Sequence, residues 1–244
     1  MLLIFDLDGT LCVSSDLDDE CYAEACRRTL DLPSIDTDWA AYPDATDPVI
    51  GRTLIDRHLP DVQSDPTAGD RALRQLHDAF VHLIRERIGP QHSRQTPGAA
   101  SLLQQLAQHS HAHAAVATGG WRESATLKLQ HAGIQLPTDI PMRTSYDALR
   151  RVDIIRAAWN AVEARLGRTV PKHDVVYLGD GVWDLKATRQ LDIGFLGVVV
   201  EHGKAQRLAE EGVPHRHMLE RFPDADQLLD LARQVSPAAH TNTH

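Results

Sequence analysis

The chain opens Met1-Leu-Leu-Ile-Phe-Asp-Leu-Asp-Gly-Thr10, and no other stretch constrains its fold as tightly. Leu2, Leu3, Ile4 and Phe5 form an unbroken apolar run, the pattern of a short parallel strand buried on both faces. The run stops at two acids, Asp6 and Asp8, followed by Gly9 and Thr10. Alternate residues of a strand share a side, but Gly9 marks a sharp turn, so Asp8 is expected at or just beyond the strand end. Two carboxylates held this close repel one another, a cost removed by a shared proton or a metal ion.

The rest of the composition narrows the partners. The chain of 244 residues has room for one large domain, or for a core with an insertion. Its net charge is −9, with no basic block, which argues against nucleic acid as a partner. No apolar stretch is long enough to span a membrane. The strand starts without a basic leader, so no signal peptide is expected. Cys12, Cys21 and Cys26 are odd in number and lack CxxC spacing, which points to reduced thiols in a cytoplasmic protein.

Behind the first strand the period changes. Helices are expected over residues 16–30, with Ser14 or Ser15 as N-cap, over 48–58 and over 70–88. In the last of these Leu73, Leu76, Phe80, Leu83, Ile84 and Ile88 form a stripe of helical period. No strand candidate is apparent between about residues 13 and 95, so residues 14–95 read as an inserted all-helical subdomain. From Thr96 strands and helices alternate. Strands are expected over 113–118, 175–178 and 195–200, and helices over 98–108, 124–132, 147–166, 185–190, 204–211 and 225–232. The implied class is α/β: a Rossmann-like parallel sheet with helices on both faces, built from residues 1–13 and 96–236. Residues 237–244 read as a disordered tail.

Three of these strands end in polar groups: Asp6 and Asp8 with Thr10, then Thr118, then Asp180 and Asp184. Ligands of open parallel sheets sit beyond the carboxyl ends of the strands, where these groups converge. Such an oxygen-rich set suits Mg²⁺. Thr118 with the amides of Gly119 and Gly120 makes an anion cradle.

Asp6-Leu-Asp8-Gly-Thr10, Thr118 and Gly179-Asp180-x-x-x-Asp184, in this order and spacing, resemble the haloacid dehalogenase superfamily, and within it the phosphoglycolate phosphatase-like hydrolases. The resemblance covers nearly the whole chain, including a helical cap over residues 14–95. It implies that Asp6 is the nucleophile forming an aspartyl phosphate, and that Asp8 is the general acid and then the base. It also implies a Mg²⁺ site from Asp6, Asp180 and the carbonyl of Asp8. Asp184 either completes that site or holds its waters. Thr118, Gly119 and Gly120 would grip the phosphate, with Thr10 beside them.

The family usually places a lysine between the threonine and the last acidic motif, and this chain departs from that. Lys128 falls too early, within the helix after Thr118. Arg150-Arg151 stands at the expected place, and Arg151 is taken as the substitute because it opens the helix, with Arg150 the next choice. In the cap, Arg52 is a candidate for an anionic substrate tail. Trp183 either walls the site or packs beneath it. His109, His111 and His113 read as surface residues at the far edge of the sheet.

The expected function is a Mg²⁺-dependent phosphatase acting on a small phosphorylated metabolite, as monomer or homodimer. A sugar phosphomutase shares all the motifs. A metal-independent dehalogenase would lack the second acid, and a catalytically idle binding protein has only the missing lysine in its favour.

Overall fold

The computed structural model describes residues 1–59, 66–89 and 92–237. Of the tail expected over residues 237–244, residues 238–244 fall outside the described residues. Strand β1 (Leu2–Phe5) shows why its sequence is uninterrupted. Leu3 and Phe5 feed one hydrophobic cluster, Leu2 and Ile4 a second on the opposite face, and all four are fully buried. At roughly 1.5–3 kcal/mol for each buried side chain, this strand anchors both layers.

Chain order then gives β2 (Cys12–Val13), β3 (Arg94–Gln95), β4 (His113–Ala117), β5 (Met142–Arg143), β6 (Val175–Gly179), β7 (Gly194–Val198) and β8 (Met218–Leu219). Six of the strands form one parallel sheet in the order β5-β4-β1-β6-β7-β8. The helices are α1 (Ser15–Thr29), α2 (Asp47–His58), α3 (Pro66–Arg87), α4 (Ala99–Gln108), α5 (Arg122–His131), α6 (Arg151–Leu166), α7 (Val182–Leu191), α8 (Lys204–Glu210) and α9 (Ala225–Val235). Leu102, Leu103 and Leu106 of α4, Ala125 and Leu129 of α5, and Leu228 and Leu229 of α9 cover one face. Ile154, Ile155, Ala158 and Val162 of α6, Leu185 of α7 and Leu208 of α8 cover the other. Among the described residues no helix is long and apolar enough to cross a membrane.

Helices α1, α2 and α3 surround a third cluster of their own. Leu17, Cys21, Tyr22, Ile50, Leu54, Leu76, Phe80, Leu83 and Ile84 contribute to it. Trp121, from the stretch just after β4, enters this cluster as well. The expectation of no strand between residues 13 and 95 is corrected. Cys12–Val13 and Arg94–Gln95 pair antiparallel, so a two-stranded ladder joins the two ends of the helical segment. Arg94 and Gln95 are exposed and polar, and two such residues carry no periodic signal. The helix expected from residue 147 starts instead at Arg151, because residues 142–143 form β5 and a turn follows.

Candidate active site

Strand register brings the polar groups together. Phe5 lies beside Val116 on one side and Leu178 on the other, so Asp6 leaves the sheet between the ends of β4 and β6. Its amide donates to the Leu178 carbonyl at 2.8 Å, holding it in line. Asp180 follows β6, and Asp184 sits in the first turn of α7, where it accepts from the Gly181 amide at 3.1 Å. Carboxylate oxygens of Asp6, Asp180 and Asp184 all lie within 4.8 Å of one another, and all three residues are buried.

Two cations face these three acids. Arg151 opens α6 and places Nη1 3.0 Å from Asp6 Oδ1 and 3.5 Å from Asp184 Oδ1. Its Nη2 donates to the Ala45 carbonyl at 2.8 Å, and its backbone amide donates to Asp44 Oδ1 at 3.1 Å. The helical segment thus fixes the guanidinium. Lys204 Nζ lies 2.5 Å from Asp180 Oδ2. With all three carboxylates ionised, one negative charge is in surplus over Arg151 and Lys204. Burial pushes the Asp6 carboxyl well above the usual carboxylate range despite Arg151, with Asp184 and Asp180 adding to the rise. Burial likewise takes Asp184 up to about 6. Asp184 Oδ1 is buried and, among the described residues, has no hydrogen-bond partner. The surplus charge of the ionised cluster, donors that are all oxygen and a buried carboxylate oxygen with no hydrogen bond among the described residues, only the longer ion pair to Arg151, together fit a hard divalent cation such as Mg²⁺.

Gly9 lets this approach happen. Its φ is +69°, and a Cβ there would stand 2.1 Å from Asp180 Oδ2. Any side chain at residue 9 would collide with that carboxylate.

The Asp8 carboxylate belongs to a different cluster. Ser14 Oγ donates to Asp8 Oδ1 at 2.6 Å, and Lys128 Nζ lies 2.6 Å from the same oxygen and 2.7 Å from Asp18 Oδ2. Burial opposes ionisation of Asp8, but Lys128 outweighs it and holds the carboxyl below its ordinary value. Burial also lowers the tendency of Lys128 to hold its proton, and Asp18 and Asp8 more than reverse this. Burial pushes the Asp18 carboxyl well up, helped by the charge on Asp8. Sequence position alone set Lys128 aside as too early; the structure buries it against Asp8. One signal was available: Lys128 shares the buried face of α5 with Ser124, Ala125 and Leu129, where a lysine needs a partner.

Thr118, Gly119 and Gly120 line a cavity of about 830 Å³, together with Asp6, Asp8, Asp180, Arg151 and Trp183. The Gly120 amide donates to Thr118 Oγ1 at 3.1 Å. A Cβ at Gly119 would lie 2.6 Å from the Ala45 carbonyl and 2.8 Å from Arg151 Nη2, so the helical segment presses directly on this loop. Trp183 therefore walls the cavity. Two expected site residues do not reach it. Thr10 is fully buried outside the lining, with no hydrogen-bond partner for its hydroxyl among the described residues. Arg52 lies on α2 and pairs with Asp70 of α3 on the surface. Arg150 is exposed and bonds Gln190 at 3.5 Å, which leaves Arg151 as the arginine of the site. His113 starts β4, at the end opposite Thr118, as expected.

A family model of haloacid dehalogenase-like hydrolases matches residues 1–192. The chain belongs to this family. No curated protein matches it. A solved hydrolase from Pseudomonas syringae shares 21% identity at a TM-score of 0.60, covering 96% of this chain and 98% of the other. A predicted phosphoglycolate phosphatase from Haemophilus somnus 129PT shares 16% identity at 0.64, covering 94% and 96%. A β-phosphoglucomutase from Clostridium difficile shares 16% identity at 0.62, covering 93% and 92%. At these identities the likeness extends to the fold of this haloacid dehalogenase-like hydrolase.

Proposed function

We propose that this chain is a Mg²⁺-dependent phosphatase that hydrolyses a small phosphomonoester through an aspartyl phosphate on Asp6. The observation that carries the reading is Asp6 itself. It is buried at a sheet edge, held by Arg151 and grouped with Asp180 and Asp184 at the floor of a cavity sized for a small metabolite.

A phosphate ester entering this cavity meets Arg151, the Thr118 hydroxyl, the Gly119 amide and, once its bond to Thr118 is exchanged, the Gly120 amide, which neutralise and orient its non-bridging oxygens. An Asp6 oxygen attacks phosphorus. Asp8, ionised beside Lys128 before substrate enters, has by then received a proton from the entering phosphomonoester monoanion. The bond to the leaving oxygen breaks, and that oxygen takes this proton from Asp8. Water then attacks the aspartyl phosphate, giving a proton to Asp8 and restoring the Asp6 carboxylate as inorganic phosphate forms. A Mg²⁺ ion held by Asp6, Asp180, Asp184 and the Asp8 carbonyl would supply charge neutralisation for the phosphoryl group. Residues 14–95 serve as a cap over the cavity: Ala45 and Asp44 already grip Arg151. The three buried free thiols fit a reducing compartment, the cytoplasm.

The test is phosphate release from a panel of phosphomonoesters with and without Mg²⁺, for the wild type and Asp6→Asn. Metal-dependent release that Asp6→Asn abolishes is the expected result. Equal release by the variant removes Asp6 as nucleophile, and phosphate returned to a sugar phosphate instead of to water assigns a mutase.

A further inference from the structure

We propose that Lys128 is a positioning residue for Asp8, clamping that carboxylate between core helix α5 and helix α1 so that it can exchange a proton with the leaving group and then with water. The inference rests on the assignment of Asp8 as the acid–base residue and adds a residue to it.

The geometry is specific. Lys128 is 1% exposed, and its ammonium touches Asp8 and Asp18 at 2.6 and 2.7 Å. A buried ammonium without anionic partners is costly, so both carboxylates are needed where they stand. The three charged groups come from three places: the turn after β1, α1 of the helical segment and α5 of the core. Ser14, at the start of α1, donates a second hydrogen bond to the same Asp8 oxygen. Lys128 is itself secured, because Ser93 Oγ donates to its carbonyl at 3.0 Å from the turn before β3. Asp8 therefore has its present orientation only while both ends of the helical segment are seated on the core. A carboxylate misplaced by about 1 Å loses most of its value as an acid–base group.

A positioning role differs from a merely structural one in what it does to different leaving groups. Phenol is a weaker acid than p-nitrophenol, so its departure leans harder on a proton from Asp8. kcat/KM, which covers the steps through leaving-group departure, is to be measured for phenyl phosphate and p-nitrophenyl phosphate with wild type, Lys128→Met, Lys128→Arg and Asp6→Asn. For Lys128→Met the loss is expected to be about ten times larger with phenyl phosphate than with p-nitrophenyl phosphate. Lys128→Arg keeps the charge that Asp8 and Asp18 require and is expected to show the same bias, reduced about threefold. Should Lys128→Met fail to fold, the arginine variant decides the matter alone. Equal losses on both substrates, or none, overturn the inference while leaving the function intact. Undiminished activity of Asp6→Asn overturns the function itself, and this inference with it.

Discussion

The indole of Trp121 lies parallel to the phenol ring of Tyr22, with centroids 5.9 Å apart and planes at 8°. Trp121 follows Thr118 by three residues in the core, whereas Tyr22 belongs to α1. Phe80 of α3 leans on the same indole at 5.5 Å, and His77 meets it edge-on at 5.0 Å. The loop after β4 and the helical segment thus share one aromatic cluster. Asp47 adds a polar link: its amide donates to the Gly119 carbonyl at 3.0 Å, and its carboxylate accepts from the Trp121 amide at 2.9 Å.

Trp121→Leu is expected to loosen the helical segment more than the sheet. Removing part of a 4%-exposed indole leaves a cavity among Tyr22, Phe80 and His77, with a cost of about 3 kcal/mol. Limited proteolysis checks this. Cleavage within residues 14–95 should speed up while the core stays resistant, and uniform acceleration along the chain would contradict it.

Arg151→Ala leaves Asp6 without its nearest cation and empties the contact to Ala45. We expect kcat/KM to fall by about 10²–10³. Arg151→Lys should recover part of the loss, because the charge returns without the second donor to Ala45. Arg150→Ala should stay within about twofold of wild type, as exposed polar contacts contribute little. A larger effect at Arg150 would reverse the assignment.

Gly9→Ala tests the close approach behind the acid cluster. The left-handed backbone costs the alanine about 1–2 kcal/mol, and the new methyl group must displace Asp180. Half-saturating Mg²⁺ is expected to rise about 10-fold or more, measured by metal titration of phosphatase activity. An unchanged metal requirement would mean that Asp180 does not help to hold the ion.

The strands that carry the site are legible in sequence because both their faces are buried. Leu2–Phe5 and Val175–Gly179 are continuous apolar runs ending in acids. Edge strands Met142–Arg143 and Met218–Leu219 are only two residues long, so no period marks them. Asp6, Asp180 and Asp184 are legible as a cluster because parallel strands share one carboxyl edge. The neighbours of Asp8 are not. Lys128 and Asp18 are 110 residues apart, and their meeting depends on how α1 docks, which local pattern does not encode. Arg52 misleads for the same reason: its helix is correctly expected, but its rotation aims it at Asp70.

Asp47 gives the link between the loop after β4 and the helical segment a pH dependence. Burial takes its carboxyl up to about 6, opposed by Lys128 and by the Trp121 amide. An aspartate in the unfolded chain titrates near 4. Between roughly pH 4 and 6, therefore, the folded protein keeps a proton that the unfolded chain has released, so this group's contribution to stability falls as pH rises through that window and stays low above it. Asp47→Asn retains an oxygen to accept from the Trp121 amide and removes the titration. The variant should match wild type near pH 4 and exceed it by about 1–2 kcal/mol at pH 7. Urea denaturation of metal-free protein at both pH values measures the difference. A gap that is the same at pH 4 and pH 7 would show that Asp47 ionises in the folded protein as readily as in the unfolded one.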